Sequence, residues 1–191
     1  MTCIAGIVSN GIVYIGGDSA GIAGDSLRHR KDEKVFELKN NLDTIIFGFT
    51  TSFRMGQLLR YGFNLPNHPK NMSNMEYLCT LFIDSIRNRF KAGGWLERRN
   101  DMECGGTFLV GYRGGLYYVG SDFQVGETIK NFDSVGSGRE VAIGALHVLE
   151  HISDMSPEEK ITKSLEAAEH HLSTVAGPFT IVSTKKKIRK R

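Results

Sequence analysis

The residue placed to do chemistry is the second one. Thr2 follows Met1, and an initiator methionine is usually trimmed when a small residue comes next, so the mature chain is expected to begin with a threonine. That residue would carry a side-chain hydroxyl and a free α-amine. An α-amine has an ordinary pKa of about 7.7–8, close to the value that suits a general base at neutral pH. Nucleophile and base would then share one residue, the N-terminal variant of the paired nucleophile and base. Many chains begin Met-Thr for no catalytic reason, so the pair needs support from elsewhere in the chain.

Other patterns carry less. His147-Val148-Leu149-Glu150-His151 has the H-x-x-E-H order of inverted zinc peptidases, with two histidines at i and i+4 on one face of an expected helix. Zinc needs a third protein ligand, and the sequence nominates none, so no metal is assigned. Gly136-Ser137-Gly138 precedes the same helix, but the next glycine is Gly144, outside the spacing of a dinucleotide loop. No nucleotide or other cofactor is assigned. Cys3, Cys79 and Cys104 are odd in number and lack metal-ligand spacing, so they read as reduced thiols.

The elements that must position these residues follow from periodicity and turn signals. Residues 2–8 and 12–17 are apolar, β-branched runs around Ser9-Asn10-Gly11, a hairpin signal. A polar loop is expected to about Glu33. Lys34 to Leu38 and Thr44 to Phe49 form a second strand pair about a turn at Asn40-Asn41. Ser52 or Thr51 caps a short helix to about Tyr61. Ser73-Asn74-Met75-Glu76 has capping-box spacing, and Met75, Leu78, Phe82, Ile86 and Phe90 give the helix behind it one apolar face, ended by Gly93-Gly94. Phe108 to Val119 reads as a hairpin, and an extended stretch runs to Val135. Helices are expected from Arg139 to Ile152 and from Ser156-Pro157-Glu158-Glu159 to near Ser173, before a last strand at Phe179 to Val182. Strands arriving in pairs, with helices grouped between them, predict an α+β fold with largely antiparallel sheets.

A chain of 191 residues with 40% hydrophobic and 24% charged residues is long enough for one well-buried domain, expected over 1–183. No run is apolar enough to span a membrane and no secretory leader is evident, so a cytoplasmic location is expected. The net charge of +3 originates in a basic tail over 184–191. That tail reads as a solvated, mobile end in preference to a nucleic-acid-binding arm.

The first 38 residues resemble the proteasome β-subunit and, more closely, the bacterial HslV peptidase, both N-terminal-nucleophile hydrolases. Met1-Thr2-Cys3-Ile4, Asn10-Gly11, Gly17-Asp18-Ser19, Gly24 and Lys34-Val35 carry the resemblance without a gap, and Gly48-Phe49 and Gly136-Ser137-Gly138 extend it. The resemblance implies a four-layer αββα sandwich of two antiparallel sheets between helical layers. It makes Thr2 nucleophile and base, Lys34 the neighbouring ammonium, Asp18 the carboxylate that holds it, and Ser137 a further site residue. Thr51 would supply the oxyanion amide from a position where the family has glycine. Simple alignment places His170 where the family has an aspartate near Ser137. Gly21, Asp32 and Phe49 would surround the specificity pocket, with room for an apolar or mixed side chain. The implied function is a threonine peptidase acting on unfolded polypeptide inside stacked rings, hexamers favoured over heptamers, fed by an ATP-driven unfoldase. The helices near Ser52 to Tyr61 and Met75 to Phe90 would make contacts between rings. Two alternatives stay open: an inactive proteasome-fold scaffold or binding protein, and an amidase acting on a small amide.

Overall fold

In the computed structural model, residues 1–24, 26–40 and 42–184 are described; Asn41 of the expected turn and the basic residues 185–191 lie outside them. The chain opens with β1 (Cys3–Ser9) and β2 (Ile12–Gly17), antiparallel with Ser9 opposite Ile12. Asn10 (φ 50°) and Gly11 (φ 71°) form the turn, both left-handed as a two-residue hairpin connection requires. The expected polar loop instead contains a second small hairpin, β3 (Ala20–Ala23) and β4 (Ser26–His29). Next come β5 (Val35–Lys39), β6 (Thr44–Phe49) and α1 (Phe53–Gly62), the last capped by Ser52, whose hydroxyl accepts the Arg54 N–H.

The long amphipathic helix is built as α2 (Asn74–Tyr77), a π-helical turn Leu78–Phe82 and α3 (Ile83–Ala92). A short exposed hairpin follows, β7 (Glu97–Arg99) and β8 (Met102–Cys104), which apolar periodicity does not signal. Then come β9 (Phe108–Tyr112), β10 (Gly115–Val119), β11 (Val125–Glu127) and β12 (Phe132–Gly136). The chain continues through α4 (Arg139–Leu149), α5 (Pro157–His171) and β13 (Thr180–Ser183). A capping box between Ser156 and Glu159 starts α5, as its spacing predicts. Both α4 and α5 end two or three residues earlier than expected.

Two antiparallel sheets result, ordered β12-β1-β2-β13 and β11-β10-β9-β6-β5. Their facing surfaces bury Ile4, Val13 and Ile15 of one against Val35, Ile46, Leu109 and Leu116 of the other. On the outer face of the first sheet, Ala142, Leu146, Ile161 and Leu165 of α4 and α5 pack against Cys3, Ala5 and Tyr14. On the outer face of the second, Leu58, Phe82, Ile86 and Phe90 cover Phe47, Phe108 and Val110. Each side chain of this size contributes about 1.5–3 kcal/mol when fully buried, so the three cores fix which strand ends lie together. The architecture is an αββα sandwich, with β1 buried on both faces at its centre.

Candidate active site

Three strand ends meet at one edge of the sandwich: Thr2 precedes β1, Asp18 follows β2 and Lys34 precedes β5. Pairing Ile4 with Gly17 brings Asp18 beside the start of β1, where its carboxylate accepts the Cys3 N–H at 2.9 Å. The same carboxylate accepts the Ala20 N–H at 3.1 Å and the Lys34 ammonium at 2.9 and 3.0 Å. Both side chains are buried. Burial pulls the Lys34 ammonium below the ordinary lysine range, and Asp18 opposes that pull. One carboxylate thus ties together the strand that carries Thr2, the loop after β2 and the cation buried with it.

Thr2 is itself buried, held by the turn between β12 and α4. Its N–H donates to Ser137 Oγ at 3.1 Å, and its carbonyl accepts the Gly138 N–H at 3.3 Å. Gly136 (φ 102°) passes so close beneath that carbonyl that a Cβ there would collide with it. Ser137 Oγ also lies 3.0 Å from Thr174 Oγ1. Among the described residues no hydrogen bond joins Ser137 to His170, the residue that the alignment put there. Helix α5 stops at His171, Leu172 turns extended, and the chain beyond it carries Thr174 to Ser137 while His170 stays exposed against the ring of His171. Met1 is still attached, and its carbonyl accepts the Thr2 hydroxyl at 2.5 Å.

Thr51 occupies the junction of β6 and α1 with φ 64°, a left-handed conformation that β-branched residues rarely adopt. Its neighbour Thr50 is anchored on both sides: the Thr50 N–H and hydroxyl donate to Thr107 O at 3.0 and 2.7 Å. The Thr51 hydroxyl accepts the Thr107 N–H at 3.3 Å. Among the described residues nothing accepts the Thr51 N–H. That amide is left free to donate to a group bound beside it.

Thr2, Lys34, Phe49 and Thr51 line one cleft of about 400 Å³, together with Gly21. Asp32 does not reach it. Its carboxylate turns away to take Arg30 Nε and Nη2 at 2.7 and 2.5 Å, which holds that carboxyl below its usual range. A Cβ at Gly21 would stand 2.9 Å from Arg30 Cδ, so a side chain there would displace the stem of that arginine.

No family model and no curated protein matches the sequence. Solved structures do. BPH from Thiobacillus denitrificans in complex with epoxomicin superimposes with a TM-score of 0.73 at 19% identity, over 95% of this chain and 97% of that one. Eukaryotic HslV from Trypanosoma brucei gives 0.66 at 15% identity, over 95% and 98%. A Gly-1 mutant of Anbu from Hyphomicrobium sp. strain MC1 gives 0.68 at 14%, over 96% and 81%. The fold is proteasome-like.

Within this proteasome-like fold the other sequence signals fall away from the cleft. His147 is exposed on α4, 3.9 Å from Glu150, and Glu150 pairs with Lys130. Among the described residues no group of three potential metal ligands converges, and no helix is long and apolar enough to cross a membrane. Cys3 follows Thr2, but burial pushes its thiol up to about 12, which leaves it inert as a nucleophile. Sequence reasoning missed Arg28, Arg30 and Thr174. The alternation of Arg28, on β4, with Arg30 just past its end was the available signal for the first two.

Proposed function

We propose that the domain over 1–183 is a threonine peptidase whose nucleophile is Thr2 after Met1 has been removed. The observation that carries this reading is the buried Asp18–Lys34 pair at the wall of the cleft into which Thr2 opens. Desolvating an ion pair costs several kcal/mol per ion, which close pairing offsets only in part. A purely structural role would be served as well by apolar residues, whereas an ammonium beside Thr2 favours the alkoxide and the unprotonated amine.

The Thr2 hydroxyl oxygen attacks the scissile carbonyl carbon while its proton passes to the α-amine. The Thr51 N–H donates to the oxygen on which negative charge develops. The C–N bond then breaks, the protonated amine gives its proton to the departing amine, and an ester on Thr2 remains. Water, deprotonated by the same amine, hydrolyses the ester and restores the hydroxyl. Ser137, with Thr174 behind it, orients the nitrogen throughout. While Met1 is attached that nitrogen is an amide and has no basicity, so removal of Met1 is the precondition.

Intact-mass measurement tests that precondition. Protein lacking Met1 is expected to hydrolyse peptide reporters and to be modified by epoxomicin, and Thr2→Ala is expected to lose both. Hydrolysis with Met1 still attached would overturn the mechanism. The β-branched Thr51, held left-handed where the family has glycine, favours a second reading, a scaffold of the same fold. That reading requires Met1-free protein that neither hydrolyses any reporter nor takes up epoxomicin.

Self-association into stacked rings, hexameric by the family resemblance, and delivery of unfolded polypeptide by an ATP-driven unfoldase complete the proposal. The exposed Tyr61 on α1 and Leu81 in the π turn support an assembly surface on that helical layer.

A further inference from the structure

The cleft beside Thr2 has an electrostatic character that the nucleophile does not require. Ser26, Arg28 and Arg30 line it, alternate residues on the wall made by β4 and its continuation. His29, between the two arginines, belongs to the other face, with its Nδ1 2.9 Å from Gly177 O. Arg30 is fixed in place: it stacks 3.8 Å over the Phe53 ring, and Asp32 holds its Nε and Nη2. The absence of a side chain at Gly21 gives its stem room to cross the strand pair. Nη1 has no acceptor among the described residues. Arg28 is exposed, and among the described residues no carboxylate pairs with it.

No carboxylate lines the cleft among those residues. Asp18 and Asp32 are each already bound to a cation. Among the described residues the lining therefore carries positive charge with no facing carboxylate, beside the aromatic rings of Phe49 and Phe53. A nucleophile at its edge places the substrate side chain adjoining the scissile carbonyl within it.

We propose that this cleft selects an acidic side chain, Glu or Asp, on the acyl side of the scissile bond, with Arg28 as its main partner and the free edge of Arg30 as its second. This rests on the threonine peptidase reading. Guanidinium groups bind carboxylates through paired, charge-assisted hydrogen bonds. The same wall repels a lysine or arginine side chain.

The test uses Met1-free, full-length protein and four fluorogenic peptides that differ only in the residue before the fluorophore: Glu, Asp, Leu or Arg. Hydrolysis after Glu or Asp is expected to exceed that after Arg by at least about 10-fold in kcat/KM, an advantage that shrinks as salt is added. Arg28→Glu is expected to reverse the Glu-to-Arg ratio, and the milder Arg28→Gln to remove most of the preference. Fastest hydrolysis after Leu or Arg, or a ratio that neither variant moves, would overturn the acidic preference and leave the peptidase reading standing. Failure to cleave any of the four, with no uptake of epoxomicin, would overturn both.

Discussion

At the scale of single residues, the Asp18 carboxylate decides whether the site exists. It accepts four hydrogen bonds from three segments, and two of them come from a lysine that would otherwise be a buried, unpaired charge. Removing one partner of such a pair costs about 3–5 kcal/mol, whereas replacing both by residues of similar volume is often close to neutral. Asp18→Asn is therefore expected to lower stability by roughly that amount in urea unfolding. Asp18→Asn combined with Lys34→Met is expected to recover a large part of it, while peptide hydrolysis is lost in both. Simple additivity of the two substitutions would show that the pair is not coupled in the folded protein. Thr51 is the second residue with an energetic signature. A left-handed backbone costs an L residue about 1–2 kcal/mol, and the greater freedom of an unfolded glycine offsets about 0.5–1 kcal/mol of any relief. Thr51→Gly is expected to leave stability unchanged or to raise it by up to about 1 kcal/mol and to increase hydrolysis by opening the approach to its amide. A thermal midpoint lowered by several degrees would show that the Thr51 hydroxyl bond to Thr107 outweighs the strain.

At the scale of elements, the parts read most directly from sequence are those whose periodicity and turn chemistry agree. The β1–β2 hairpin, with Asn10-Gly11 at its turn, leaves little freedom in where Thr2 and Asp18 fall. Helix α5 begins where its capping box says. Its end is a different matter, because Glu169, His170 and His171 have no apolar requirement and nothing local distinguishes His171 from Ser173 as the last turn. Two residues of difference there replace His170 by Thr174 as the partner of Ser137. Hairpins β3–β4 and β7–β8 were illegible for a related reason: they are short, β4 and β7 are exposed throughout, and β3 reads Ala-Gly-Ile-Ala, so no apolar–polar alternation marks them. The arginines that wall the cleft ride on the first of them. Thr174→Val is accordingly expected to reduce hydrolysis about 10-fold with little change in thermal midpoint, since it removes a hydroxyl from Ser137 and no core packing. His170→Ala is expected to change neither. Equal losses in the two variants would return His170 to the site.

At the scale of the whole molecule, both helical layers bury one face and leave apolar side chains on the other. Helix α5 buries Ile161, Leu165 and Ala168 completely against the first sheet, while α4 leaves Val148 at 66% exposure. The layer of α1, α2 and α3 also covers its sheet, yet it presents Tyr61 at 75% exposure and Leu81 at 41% on its outer surface. An open surface nucleophile would attack any peptide it met, and enclosure by copies of the same chain is the geometric remedy. One of the solved structures of similar fold is described as a helical assembly of the Anbu complex from Pseudomonas aeruginosa. For this chain, light scattering is expected to give a mass several times that of the 21.2 kDa protomer at micromolar concentration. Tyr61→Asp and Leu81→Asp, which place a charge where side chains would be buried between copies, are expected to reduce that mass with far-ultraviolet circular dichroism unchanged. Both residues already face solvent in the isolated chain, so neither substitution opens a cavity in the core. A wild-type protein that stays monomeric and still turns over small amides would remove the chamber and favour the small-amide reading of the same nucleophile.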